Sequence, residues 1–143
     1  MNTSAADPSF RLLFAAWIVA LAATGGALFV GEVMGQAPCD LCWYQRSFMF
    51  PLVAVLGVGV YRSELVASLY ALPLAMSGWL VAAFHNLLYF EIIPAAIKPC
   101  SQGPSCSGDG MTIFGTLPLP TLSLAMFTAI VALLFVAYRR HHR

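Results

Sequence analysis

Four long apolar segments alternate with polar breaks along this chain. They run approximately over Leu12–Met34, Tyr44–Tyr61, Leu65–Phe90 and Leu117–Tyr138. Each has about the length of 20 residues that a helix needs to cross a hydrocarbon core of about 30 Å. They lack the alternating polarity of barrel strands, so their backbone hydrogen bonds must be satisfied within helices. The pattern predicts an all-α integral membrane protein, a single domain over residues 1–143 with a bundle of four transmembrane helices.

The polar breaks predict how the helices are connected. The turn Arg62-Ser63-Glu64 is short, so helices two and three are expected to be antiparallel neighbours. The outer loops, at about residues 35–43 and 91–116, are longer and hold all four cysteines. Prolines and glycines in the second of these loops exclude a continuous helix there.

Composition narrows the class of protein further. Hydrophobic residues make up 60% of the 143 residues and charged residues only 9%, which lies far outside the range of soluble globular proteins. The formal net charge is +1, without the clustered Lys and Arg that a phosphate backbone requires. We therefore expect membrane lipid as the surroundings and no nucleic acid partner.

The first apolar segment resembles a secretory signal peptide only superficially. Its apolar run is about twice as long as that of a signal peptide, and Asp7 stands near Arg11 in the preceding segment. We expect an uncleaved membrane span.

The distribution of basic residues predicts the orientation. Five arginines would share one side of the membrane: Arg11, Arg62, Arg139, Arg140 and Arg143. Only Arg46 and Lys98 lie toward the other side. The positive-inside rule then places both termini in the cytoplasm and both cysteine loops outside, in the periplasm or its equivalent, where disulfides form and persist.

The cysteines form two pairs with different spacings. Cys39 and Cys42 form a C-x-x-C pair between the first two apolar segments, whereas Cys100 and Cys106 are separated by five residues in the second outer loop. A C-x-x-C pair closes a tight loop that opens and closes reversibly by thiol–disulfide exchange. The chain therefore favours redox chemistry at a membrane surface.

Three other uses of these cysteines compete with redox chemistry. Structural disulfides are unnecessary in a bundle with this much apolar surface to bury. A zinc site built from all four cysteines would need an unusual C-x5-C half, and no His or carboxylate completes a recognisable pattern, so no metal is expected. Haem attachment is excluded because Trp43 follows Cys42, where C-x-x-C-H requires histidine.

Two further side chains are candidates for the same site. Arg46 lies one helical turn after Cys42, so its charge would favour a thiolate there, and Cys42 is the better candidate for the reactive thiolate. The alternative for Arg46 is a side chain without a catalytic role, which snorkels to the lipid headgroups. His85 lies inside an apolar span, about one turn and a half from its outer end, where an ionisable residue indicates function more often than structure. A lipid-soluble two-electron oxidant such as a quinone suits this set of groups.

The chain resembles the disulfide bond formation protein B (DsbB) family of quinone-linked thiol oxidases. The run Cys39–Arg46 is similar to the family signature C-x-x-C-x-Y-x-R, with Pro51 following in helix two. The resemblance also covers the four spans, His85 in helix three, the second cysteine pair, and Pro118 and Pro120 at the start of helix four. The five residues between Cys100 and Cys106 resemble the compact form of the family.

The resemblance implies a path for electrons. Cys100 would form the mixed disulfide with a thioredoxin-fold (DsbA-like) thiol oxidase, and Cys106 would pass electrons to Cys39. Cys42 would face a quinone, ubiquinone or menaquinone from the membrane pool, with Arg46 and His85 as the quinone-binding residues. The implied location is the bacterial cytoplasmic (inner) membrane, and the implied activity is that of a thiol:quinone oxidoreductase.

Two rival functions stay open at the level of sequence. One is a non-catalytic membrane scaffold with structural disulfides. The other is an enzyme similar to the vitamin K epoxide reductase family, in which the C-x-x-C pair precedes the last core helix. Here the pair precedes the second helix, which argues against that alternative.

Overall fold

The computed structural model describes residues 7–93, 106, 112–113 and 115–141. Its elements are α1 (Pro8–Leu28), α2 (Asp40–Arg62), α3 (Ala67–Tyr89), β1 (Thr112–Ile113), β2 (Leu117–Pro118) and α4 (Leu119–His141). A π-helical turn, Phe29–Val33, extends α1. With that extension included, all four helices are long and apolar enough to cross a membrane. The predicted all-α bundle of four transmembrane helices is confirmed.

The bounds of the helices differ from the sequence prediction by up to a few residues, and the starts of α2 and α4 differ for local reasons. α2 begins at Asp40 and not at Tyr44, because Cys39 caps its first turn: Sγ of Cys39 accepts a hydrogen bond from the backbone N–H of Cys42 at 3.4 Å. α4 begins at Leu119 and not at Leu117, because Leu117 and Pro118 pair with β1 as an antiparallel strand. Cys42 therefore belongs to the first turn of α2, and only Cys39 precedes the helix.

The ends of the helices follow from local sequence. Pro8 occupies the first turn of α1, and Oδ1 of Asp7 accepts a hydrogen bond from the backbone N–H of Ser9 at 2.8 Å. Proline and an aspartate cap are both favoured at a helix N-terminus. α2 ends at Arg62, and the left-handed backbone of its C-cap residue Ser63 (φ 54°) reverses the chain toward α3. The short turn places α2 and α3 side by side, as predicted.

The four helices pack as a ring. α1 contacts α2 and α4, and α3 contacts the same two helices. The core combines large apolar residues with alanines that let the backbones approach: Leu13, Ala16, Ala20, Leu52, Leu56, Ala71, Ala75, Ala82, Phe127, Ile130 and Leu134. At one close contact, Gly78 of α3 lies against the ring of Phe127 of α4, where an added Cβ would overlap the ring. This core fixes the position of α2, whose first turn holds Cys42, relative to the other three helices.

A second buried cluster lies at one end of the bundle. It consists of Cys39, Leu41, Leu88 and Cys106, and it is separate from the main core. Asn86 ties α3 to the start of α4 nearby: its Nδ2 donates to the carbonyl of Pro120 at 2.7 Å, and its Oδ1 accepts from Oγ1 of Thr121 at 3.0 Å. Cys39 and Cys106 therefore meet at an end of the bundle where hydrogen bonds connect α3 to α4.

Large apolar side chains are exposed on every helix. Examples are Ile18 on α1, Val58 on α2, Leu80 on α3 and Phe135 on α4, each at least 44% exposed. Exposed apolar surface distributed around all four helices would be costly in water and is favourable against lipid tails. The chain is a multi-pass membrane protein.

Candidate redox site

Cys39 and Cys42 are free thiols in contact with each other. Their Sγ atoms lie 2.9 Å apart, and one thiol donates a hydrogen bond to the other. Cys39 is fully buried, whereas Cys42 is partly exposed. The C-x-x-C motif produces this contact because Cys39 caps the helix whose first turn holds Cys42. The pair is arranged to close into a disulfide by losing two electrons and two protons.

The surroundings of Cys39 keep its sulfur protonated. The hydrogen bond to Cys42, followed by burial, raises the pKa of Cys39 well above that of an ordinary thiol. A hydrogen bond with His85 acts in the opposite direction and lowers this pKa by a smaller amount. A raised pKa of Cys39 is the effect expected when the thiol of Cys39 is the donor within the pair.

His85 and Gln45 form a buried polar pair beside Cys39. Nε2 of His85 lies 3.8 Å from Sγ of Cys39, and Nδ1 of His85 lies 2.9 Å from Nε2 of Gln45. Both side chains are almost fully buried, His85 at 1% exposure and Gln45 at 7%. The helical repeat explains the placement of Gln45, which lies one turn after Cys42 on the same face of α2. Sequence reasoning assigned His85 to the site but gave no role to Gln45.

Cys106 reaches the same cluster from the second outer loop. It is buried and disulfide-bonded. Its Sγ, Sγ of Cys39 and a ring nitrogen of His85 all lie within 4.8 Å of one another. Three such groups resemble a metal site, but a disulfide sulfur is a poor metal ligand, so in this oxidation state the arrangement favours sulfur exchange. The other predicted loop cysteine, Cys100, lies outside the described residues.

Arg46 points into the bundle. Its guanidinium donates to the carbonyl of Ala27 at 2.7 Å and lies 5.5 Å from the centre of the Trp43 ring. Gly31, one helical turn after Ala27, makes room for it, since an added Cβ there would lie 3.0 Å from the guanidinium. A snorkelling arginine would extend toward the lipid headgroups, whereas Arg46 contacts the backbone of α1.

A cavity of ≈ 360 Å³ opens between α1, α2 and α4 beside the thiols. Cys42, Gln45, Arg46 and His85 lie on its wall, and most of the remaining lining residues are apolar. Ligand pockets typically have volumes of roughly 300–1,000 Å³ and mostly apolar walls with a few polar groups. The cavity therefore suits a small, mainly apolar ligand in contact with Cys42.

Two polar atoms on the wall of this cavity are available to a ligand. Within the described part of the chain, Oγ1 of Thr24 and Oε1 of Gln36 are buried and have no hydrogen-bond partner. Buried polar atoms without partners are rare and need an explanation. A ligand with a hydroxyl group could donate to Oε1 of Gln36, whereas Oγ1 of Thr24 could donate to an oxygen atom of a ligand or accept from its hydroxyl.

The structure thus places the predicted residues in two connected groups. Cys39, His85 and Cys106 meet in the buried cluster, while Cys42 and Arg46 face the cavity, with His85 on the boundary between the two. Gln45 was missed because a glutamine in an apolar helix carries no sequence signal of its own. Its position between the C-x-x-C pair and Arg46 was the available clue.

Comparison with known proteins agrees with this geometry. A "Probable disulfide formation protein" of Metapseudomonas resinovorans is 52% identical over 141 residues, which cover 98% of each chain. "Disulfide bond formation protein C" of Bacillus subtilis (strain 168) is 39% identical over 83% of this chain and 86% of its own, and a "Probable disulfide formation protein" of Coxiella burnetii is 41% identical over 78% and 77%. No solved structure matches. The family model described as "Disulfide bond formation protein DsbB" matches residues 9–137, and the chain belongs to this family of disulfide bond formation proteins.

Proposed function

We propose that this protein is a quinone-linked thiol oxidase that reoxidises a thioredoxin-fold, DsbA-like partner. One observation supports the proposal above the others. The Cys39–Cys42 pair has the disulfide-bonded Cys106 on one side and an apolar cavity on the other. A dithiol between a second disulfide and a ligand cavity is placed to receive electrons from one and to pass them to the other.

The sulfur chemistry balances in two exchanges. In the first, the partner's dithiol reduces the loop disulfide, with Cys100 forming the mixed disulfide, and leaves as a disulfide. In the second, the Cys106 thiolate attacks Sγ of Cys39 in the oxidised Cys39–Cys42 pair; the Cys39–Cys42 bond breaks and Cys42 leaves as a thiolate. Cys100 then attacks Cys106, so the loop disulfide re-forms and Cys39 leaves with the electron pair. The described state, with free Cys39 and Cys42 and a disulfide-bonded Cys106, corresponds to the end of this sequence.

The cavity supplies a place for the oxidant. A bound quinone, ubiquinone or menaquinone, would accept two electrons and two protons as Cys39 and Cys42 close to a disulfide. Arg46 offers N–H donors for a quinone oxygen, and the free Oε1 of Gln36 offers an acceptor for a quinol hydroxyl. The apolar walls would hold the ring and exclude water. The residues present therefore fit such a molecule.

The arginine distribution supports an orientation with both termini in the cytoplasm. The cysteine cluster then faces the periplasm or exterior, where a soluble or tethered dithiol partner can reach the second loop. A bacterial cytoplasmic membrane provides both the quinone pool and this compartment.

The proposal is tested by turnover of purified protein. Reduced thioredoxin-fold partner and a soluble quinone analogue are mixed with catalytic amounts of protein, and quinol formation is followed against partner oxidation. We expect one quinol for each partner disulfide, and no turnover in Cys42→Ser. A wild-type protein that leaves both substrates unchanged would contradict the proposed function and favour a scaffold with structural disulfides.

A further inference from the structure

Gln45 is a buried amide that the proposed electron path does not use. It lies on α2 at 7% exposure, and its Nε2 contacts Nδ1 of His85 at 2.9 Å across the α2–α3 interface. Burying an amide in an apolar bundle is costly unless its hydrogen bonds are made. An apolar side chain would fill the same space without that cost, so the hydrogen bond to His85 calls for an explanation.

This contact determines which nitrogen of His85 carries hydrogen. The amide nitrogen of Gln45 is only a donor, so Nδ1 of His85 must be the acceptor. A neutral imidazole that accepts at Nδ1 carries its hydrogen on Nε2. Nε2 is the atom that lies 3.8 Å from Sγ of Cys39.

We propose that Gln45 is a positioning residue for sulfur exchange, which holds His85 in the Nε2–H tautomer and directs that N–H at Sγ of Cys39. The inference rests on the proposed function, because it concerns the step in which the Cys39–Cys106 bond breaks. The electron pair of that bond goes to Cys39, and negative charge develops on its sulfur. His85 keeps its proton and donates a hydrogen bond to the thiolate, while Gln45 holds the ring.

Two further features agree with this role. The hydrogen bond with His85 lowers the pKa of Cys39, as expected for an N–H that favours the thiolate form. Sγ of Cys106 also lies within 4.8 Å of the histidine nitrogen, so the same N–H is close to both sulfurs of the bond that breaks. In the Nδ1–H tautomer, Nε2 of His85 would direct its lone pair at the developing thiolate of Cys39 and would repel it.

The tautomer is tested by ¹⁵N NMR of protein with ¹⁵N-labelled histidine, reduced at the Cys39–Cys42 pair. In the wild type we expect an unprotonated Nδ1 and a protonated Nε2 for His85. Gln45→Met keeps the side-chain volume and removes the donor, so the two tautomers should mix. Gln45→Glu replaces the donor with an acceptor, so Nδ1 should become protonated. Ser47→Ala, which removes an exposed hydroxyl bonded to the carbonyl of Trp43 on the same helix, should leave the wild-type pattern.

The rate of exchange between the two cysteine pairs is the second measurement. Fully oxidised protein, free of quinone, is mixed with a small dithiol, quenched with acid, alkylated and analysed by peptide mass spectrometry. Gln45→Met leaves the Nε2–H donor in only part of the molecules, so it should slow the appearance of reduced Cys39 and Cys42 by about twofold or more. Ser47→Ala should match the wild type.

An unchanged His85 tautomer in both Gln45 variants, or an unchanged exchange rate in Gln45→Met, would overturn the proposal. Failure of the proposed function gives a different result: wild-type protein would not form quinol, while the tautomer and exchange differences would persist. If Gln45→Met does not fold, the His85 tautomer and the exchange rate measured in Gln45→Glu test the proposal.

Discussion

The guanidinium of Arg46 donates a hydrogen bond to the backbone carbonyl of Ala27 at 2.7 Å. The bond crosses from α2 to α1 immediately before the π-helical turn Phe29–Val33. Such turns are rare within helices and are frequent at functional sites. The contact holds a positive charge on the wall of the cavity that Cys42 also lines. Arg46 is therefore fixed by α1 and not free to follow the lipid headgroups.

Replacement of Arg46 should impair use of the quinone more than use of the protein partner. Arg46→Met keeps a long apolar side chain but removes the charge and the donors. Hydrogen bonds to charged groups are worth about 1.5–3 kcal/mol, so we expect kcat/KM for a quinone analogue to fall by about one to two orders of magnitude. KM for the reduced partner should change little. Steady-state kinetics with each substrate varied in turn provides the measurement.

Arg46→Lys is the matched control for this substitution. A lysine restores the charge but not the planar fork of donors, so it should recover only part of the loss. If Arg46→Met had the quinone kinetics of the wild type, Arg46 would not be a quinone-binding residue. His85 would then be the remaining predicted contact of the quinone.

Gly31 is predicted to act through Arg46. A Cβ at Gly31 would lie 3.0 Å from the guanidinium, so Gly31→Ala should displace Arg46 and raise the KM for quinone several-fold. Gly25→Ala on the same helix is the control, because an added Cβ there meets nothing within 4 Å. Helix propensity alone favours either alanine by about 0.5–1 kcal/mol, so neither variant should lose stability through the backbone. Equal quinone kinetics in the two variants would contradict this view of Gly31.

The sequence was sufficient to predict the helices but not the contacts between them. Length and apolarity predict four spans, because a hydrocarbon core imposes a minimum length on any helix that crosses it. The proximity of Cys39 to His85 depends on how α2 and α3 pack, and no local pattern specifies that. The sequence pattern predicts the start of α2 four residues late, because Cys39 is an unusual cap whose sulfur replaces the usual oxygen acceptor. Gln45 was missed for a related reason: its partner lies 40 residues away in the chain.

The pKa of Cys39 should depend on Cys42. The hydrogen bond between the two thiols is the largest cause of the raised pKa, and burial is the second. A raised pKa moves formation of the thiolate to higher pH. Cys42→Ala removes the first cause and leaves the second, so the Cys39 thiolate should form at lower pH than in the wild type. The ¹³Cβ chemical shift of Cys39, followed as a function of pH, measures the midpoint of thiolate formation. An unchanged midpoint would show that the hydrogen bond to Cys42 does not raise this pKa.

The orientation prediction can be tested at the two ends of α3. Glu64 lies in the turn before α3 and Glu91 lies just after it, and both side chains are exposed. With both termini in the cytoplasm, Glu91→Cys should react with a membrane-impermeant thiol reagent in intact cells. Glu64→Cys should react only after the membrane is opened. The reverse labelling pattern would invert the topology and place the native cysteines in a reducing compartment.

Cys106→Ser should separate the two halves of the electron path. Cys106 lies beside Cys39, away from the apolar cavity, so its loss removes the link to the protein partner and leaves Cys42 and the cavity intact. We expect no oxidation of the reduced partner, whereas the Cys39–Cys42 pair, reduced chemically, should still be oxidised by quinone in a single turnover. Cys39→Ser is the control that should abolish both reactions, because neither disulfide exchange nor closure of the pair is then possible. Alkylation and mass spectrometry report the state of each cysteine. If the Cys39–Cys42 pair of Cys106→Ser stayed reduced with quinone in excess, oxidation of that pair would depend on the loop disulfide and the two-stage path would be wrong.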